Sequence, residues 1–122
     1  MKKQIVLVED DKVISSVLVE TLDKYQVQTA IDGNYGLKIC RMQKPDLVVV
    51  DLNLPRMPGR ELIGKIREEE KLKDVPVIVI SGTFSEQHAG EKVEGIDAQA
   101  VFSKPLDIGK FIRTVDSILG DR

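Results

Sequence analysis

Apolar, β-branched runs alternate with stretches of helical spacing along this whole chain, and that alternation restricts its fold more than any other feature. Gln4–Val8 and residues 27–31, 46–50, 75–80 and 98–102 read as strands. Between them, residues 12–24, 35–43 and 59–71 space their apolar side chains three or four apart. Residues 85–94 read as a weak helix, interrupted by Gly90. A last helix runs through Phe111, Val115 and Leu119, with Asp107 as its cap and Gly120 at its end. Strand–helix units in succession predict an α/β fold: a doubly wound parallel sheet with helices on both faces and right-handed crossovers. For such a five-stranded sheet the expected order is 2-1-3-4-5, which reverses between strands one and three. Ligands bind at that switch point, beyond the carboxyl ends of the strands.

The 122 residues suffice for one core, and with no linker or repeat they predict a single domain over residues 1–122. A formal charge of −2 argues against direct binding of nucleic acid. The one cysteine, Cys40, excludes an intrachain disulfide and reads as a core residue. No stretch is long and apolar enough to span a membrane, and the apolar run after Met1-Lys2-Lys3 is too short for a signal peptide. A cytoplasmic protein is the expectation. His88, the one histidine, reads as exposed on the weak helix rather than catalytic.

The polar residues just past the strands carry the chemistry. They are Glu9 and Asp10 after strand one, Asp51 after strand three, Ser81 after strand four and Lys104 after strand five. In the order above these strands are neighbours, so the side chains converge on one crevice. Crowded carboxylates repel unless a cation neutralises them. Hard oxygen ligands with room for water suit Mg²⁺, and the main-chain carbonyl of Asn53 can complete such a set. Phosphoryl transfer needs an in-line nucleophile and positive charge on the equatorial oxygens. Asp51 can attack and form an acyl phosphate, while Lys104 and Ser81 meet the phosphoryl oxygens. Asp11 reads as a helix cap, and Arg56 and Met57 as loop residues that shape access or merely structure the loop.

Glu9-Asp10, Asp51 within Val-Asp-Leu-Asn-Leu-Pro, Ser81 after Val-Ile-Val-Ile, and Lys104-Pro105 together resemble the receiver domain of two-component response regulators, of the chemotaxis-receiver kind. The resemblance covers essentially the whole chain. It implies a flavodoxin-like fold with Asp51 phosphorylated and Asp10 a direct metal ligand. It also implies that Glu9 acts through water, that Asn53 offers its carbonyl, and that Ser81 and Lys104 meet the phosphoryl group. The donor is then a phosphohistidine on a sensor histidine kinase or phosphotransfer protein. The output is a downstream partner or a fused domain, and the chain catalyses only its own phosphorylation and dephosphorylation. The resemblance further implies a cis Lys104-Pro105 bond. It implies a partner or weak-dimer face formed by residues 85–94, strand five and the last helix. The weak helix over 85–94 suits an element that shifts on activation.

Two positions depart from the family pattern. Val101 stands where an aromatic switch residue is usual, and Phe102 is out of phase with it. Gly82 follows Ser81 where alanine is typical, which opens the site. The segment from Gly95 to Lys104 is also longer than usual, which shifts the start of strand five. Three other functions compete. An aspartate-nucleophile phosphatase of the haloacid-dehalogenase kind needs a second aspartate where this chain has Asn53. A flavin-binding domain needs a hydroxyl- and glycine-rich loop where this chain has Glu9-Asp10-Asp11, which would repel phosphate. A constitutive interaction domain would not need the full acid–lysine set.

Overall fold

The computed structural model describes residues 2–82 and 95–120. The strands are β1 (Gln4–Val8), β2 (Gln26–Ala30), β3 (Leu47–Asp51), β4 (Val77–Ser81) and β5 (Ala100–Ser103). The helices among the described residues are α1 (Lys12–Thr21), α2 (Gly33–Gln43), α3 (Gly59–Glu68) and α4 (Ile108–Leu119). All strand pairs are parallel and the order is β2-β1-β3-β4-β5, as the alternation predicts. The weak helix expected over 85–94, and His88 with it, lies outside the described residues.

The period of two along each strand divides the interior into two layers. Val6, Val8, Val48, Val50, Val77 and Val79 face α2 and α3, packing on Leu37, Cys40, Leu62 and Ile66. Ile5, Leu7, Leu47, Val49, Ile78 and Ile80 face α1 and α4, packing on Leu18, Leu22, Phe111 and Val115. Strands buried on both faces need continuous apolar sequence, and β1, β3 and β4 have it. The edge strand β2 buries only Ala30 among its five residues.

Helix ends differ from the periodicity in places. Asp11 caps α1, as expected, accepting from the N–H groups of Val13 and Ile14. That helix stops at Thr21 rather than running to residue 24, and Val13 and Val17 lie on its exposed side. Asp32 caps α2 through the Tyr35 N–H, so the helix starts at Gly33, two residues before the expected position. Leu37, Ile39 and Cys40 turn inward from it, and Met42 is exposed. The third helix ends at Glu68, three residues short, and Arg67 is not in water as its charge suggested. Its guanidinium donates to the carbonyls of Lys73, Val75 and Asp97. β4 begins at Val77 because Pro76 has no N–H to give the ladder. β5 begins at Ala100, later than expected, after the Gln99 side chain has accepted the Val77 N–H at 2.7 Å. Asp107 and Gly120 bound α4 as read, and the Lys104-Pro105 bond is cis.

Candidate functional site

The strand register delivers the acidic and basic residues to one end of the sheet. Val8 pairs with Val50 and Val50 with Val79, so Glu9 and Asp51 leave neighbouring strands side by side. Ser81 pairs with Ser103, and the Ser81 carbonyl accepts the Lys104 N–H at 3.1 Å. That backbone bond brings Lys104 round from the end of β5. Its ammonium reaches Asp51 Oδ2 at 2.9 Å and Glu9 Oε1 at 3.0 Å. Asp51 Oδ1 accepts the Asn53 N–H at 3.0 Å. Each oxygen of the Asp51 carboxylate therefore has a donor, one a charge and one an amide.

Burial makes this arrangement costly to leave unpaired. Glu9 and Asp51 are each only 2% exposed, and Ser81 is fully buried. Asp10 is exposed, at the mouth. Burial pushes the Glu9 carboxyl up to about 7. The Asp11 N–H on its other oxygen and the Lys104 ammonium pull it down, and the Asp51 charge pushes it up. Burial also pulls the Lys104 ammonium down, but Asp51 and Glu9 outweigh it and hold its pKa above the ordinary lysine value.

Glu9, Asp10 and Asp51 offer carboxylate oxygens within 4.8 Å of one another. Against these three acids stands one ammonium, and the Glu9 Oε1 contact with it lacks hydrogen-bond alignment. This donor set fits a hard divalent cation: oxygen ligands only, an excess of negative charge, and an open side at Asp10.

The structure thus brings Glu9, Asp10, Asp51 and Lys104 together, with Ser81 at the adjoining strand end and Asn53 in the adjoining loop. The sequence did not show that Asn53 serves Asp51 through its N–H, nor that Glu9 is the most enclosed of its acidic run. Nor did it show how closely the start of α3 approaches the acceptor. A Cβ at Gly59 would lie 2.5 Å from the Asp51 carbonyl oxygen. Val101 is buried in the α2–α3 layer and Phe102 in the other, where it meets Phe111 edge-to-face at 5.4 Å. The two therefore point to opposite faces, as the strand period predicts.

A doubly wound sheet that gathers carboxylates and one lysine at its switch point defines a class, the receiver-type domains of the flavodoxin-like fold. The chain belongs to the response regulator receiver domain family, whose family model matches residues 5–116. It is similar to the polar-differentiation response regulator DivK of Brucella anthropi, 28% identical over 99% of both chains. Among solved structures it resembles the chemotaxis response regulator CheY4 of Vibrio cholerae. That match has a TM-score of 0.85 and 24% identity, over 98% of this chain and 100% of that one. It also resembles the receiver domain of a sensor histidine kinase from Pseudomonas aeruginosa, described with a magnesium ion coordinated in its active-site cleft. There the TM-score is 0.81 at 22% identity, over 99% of this chain and 100% of that one. These two likenesses speak to the fold. A phosphoacceptor role is general to the receiver family, as are partners that donate the phosphoryl group and partners that read it. No helix among the described residues is long and apolar enough to cross a membrane.

Proposed function

We propose that this receiver, a single cytoplasmic domain over residues 1–122, takes a phosphoryl group onto Asp51 from a phosphohistidine. The donor is a sensor histidine kinase or a phosphotransfer protein. One observation carries the reading: a buried carboxylate at the tip of β3, held at 2.9 Å by an ammonium and at 3.0 Å by an amide. A structural aspartate at a strand end needs no second buried acid and no shared lysine.

An Asp51 carboxylate oxygen attacks phosphorus, the P–N bond to the donor imidazole breaks, and its electron pair leaves on the donor nitrogen. Asn53 holds the other acceptor oxygen and so fixes the direction of attack. Lys104, already beside Asp51, takes a phosphoryl oxygen as charge builds on it. The Ser81 hydroxyl offers a further hydrogen bond from the neighbouring strand. Asp10, Asp51 and the Asn53 carbonyl, with Glu9 behind them, would hold Mg²⁺, and the ion would supply positive charge to offset that of an anionic phosphoryl group in an acidic pocket. The chain turns over no external substrate. Its signal passes to a downstream partner or a fused output domain. The face that carries it includes β5 and α4, and it also serves any weak dimer. Val101 leaves this face without the aromatic switch, so the output rests on other contacts of β5.

Intact mass after incubation with acetyl phosphate tests the reading. The chain should gain one phosphoryl group with Mg²⁺, lose that gain in EDTA, and show none as Asp51→Asn. Labelling that persists in Asp51→Asn would overturn it.

A further inference from the structure

The loop between β3 and α3 contains a strained turn that the chemistry above does not require. Arg56 has φ +67°, a left-handed backbone that residues with a Cβ seldom adopt. The Met57 N–H donates to the Pro55 carbonyl at 2.7 Å, which makes Arg56 the centre of a γ-turn of the rare positive-φ kind. Such strain persists only where surrounding contacts impose it.

Two contacts do so here, and both come from the corner that follows β2. The Arg56 guanidinium meets Asp32 Oδ2 at 3.1 Å. Met57 is buried, and a Cβ at Gly33 would lie 2.8 Å from the Met57 Cβ. Asp32 is itself fixed, since its Oδ1 accepts the Tyr35 N–H at 2.8 Å and caps α2. The Asp32 side chain is 13% exposed against 66% for Arg56, so the acid is the anchor and the cation reaches to it. The same loop carries the Asn53 N–H that holds Asp51 Oδ1.

We propose that the Asp32–Arg56 pair is a latch that positions the acceptor. Both are positioning residues, acting on the Asp51 carboxylate through the loop and Asn53. Strand β2 places no carboxylate in the acidic cluster, yet its tip contributes to the site by this route. The value of the latch to phosphoryl uptake rests on the function proposed above. Its effect on Asn53 does not.

The test uses Asp32→Asn, which keeps a good helix cap without the charge, and Arg56→Gln, which keeps a Cβ in the strained turn. Amide hydrogen exchange reads the latch directly. Each variant should speed exchange at Asn53 by about threefold to fivefold, with the β5 amides unchanged and the double variant no faster than either single. Mg²⁺ affinity by titration calorimetry should fall by a similar factor in each. Arg56→Gly relaxes the turn while cutting the latch. It should retain thermal stability yet free Asn53 to the same degree, which separates the ion pair from general loss of fold. Asn53 exchange unchanged in both single variants, or effects in the double that multiply, would overturn the latch. A parent chain that binds no Mg²⁺ and takes no phosphoryl group overturns the proposed function instead, and the exchange experiment still decides the latch.

Discussion

Lys104 does at the level of one side chain what the fold does at large: it draws together two buried acids, and its charge offsets their repulsion. Its contacts at 2.9 and 3.0 Å neutralise about one charge of two. Burial first, and the Asp51 charge after it, raises Glu9, and the remaining negative excess invites a cation. Cys40 shows the opposite case, a buried titratable group that takes no part in the site. Fully buried behind α2, its thiol is pushed up to about 12 by burial, with Glu69 adding to the rise. Since the thiolate is the reactive form, native protein should resist iodoacetamide at pH 8 and label only in denaturant. Mass spectrometry checks this, and rapid labelling of native protein would show that α2 opens. At this scale the sequence was partly legible. An acid ending an apolar run stands out, so Asp51 could be read. Which member of Glu9-Asp10-Asp11 turns inward could not, because that depends on the last pleat of β1. The Arg56–Asp32 pair was invisible because its members come from separate connections that meet only in the folded chain.

Two contacts between elements fix the frame around the site. Arg67 ties the end of α3 to the approach to β4 and to Asp97 ahead of β5, filling three carbonyls that no ladder reaches. Its planar fork spans them as an ammonium cannot. Arg67→Lys should therefore lose most of what Arg67→Ala loses, about 1 kcal/mol in urea unfolding, because the part-buried Val75 carbonyl goes unpaired while the exposed Lys73 and Asp97 carbonyls turn to water. Full stability in the lysine variant would mean that charge alone matters. The Gly59 N–H donates to the Leu52 carbonyl at 2.9 Å, a bond that any residue could make, so the glycine itself matters for closeness. A methyl there would meet the Asp51 carbonyl oxygen at 2.5 Å and the Leu52 Cα at 2.7 Å, both backbone atoms with little room to yield. Gly59→Ala should cost about 1–3 kcal/mol and slow phosphoryl uptake as well, because α3 must back away from the tip of β3. Paired unfolding and mass kinetics test that, and an alanine variant with parental values in both would sink it. Element ends were the least legible feature. Pro76 removes a donor from the ladder, and Arg67 looks like a surface charge until its carbonyl partners are in place. The strands themselves were plain, since few arrangements satisfy apolar runs of that length.

At the scale of the whole molecule, strand order and acid–base balance are one matter. Alternating strands and helices leave few topologies, and the order found brings the tips of β1, β3, β4 and β5 together. Without a cation, that convergence makes stability depend on pH. The Glu9 carboxyl rises from an ordinary 4.5 to about 7 on folding, so the native state holds a proton that the unfolded chain releases earlier. Its contribution is therefore fully present below about pH 4.5 and is lost as pH climbs through 7. A divalent cation competes with that proton for the same carboxylates, and a ligand of the native state raises stability by mass action. Thermal unfolding should show Mg²⁺ raising Tm more at pH 8 than at pH 5.5. Glu9→Gln should flatten the pH dependence of the metal-free protein between those values. A Tm gain that is equal at both pH values would mean that the ion does not meet the acidic cluster. A parental pH slope in Glu9→Gln would place the titration elsewhere.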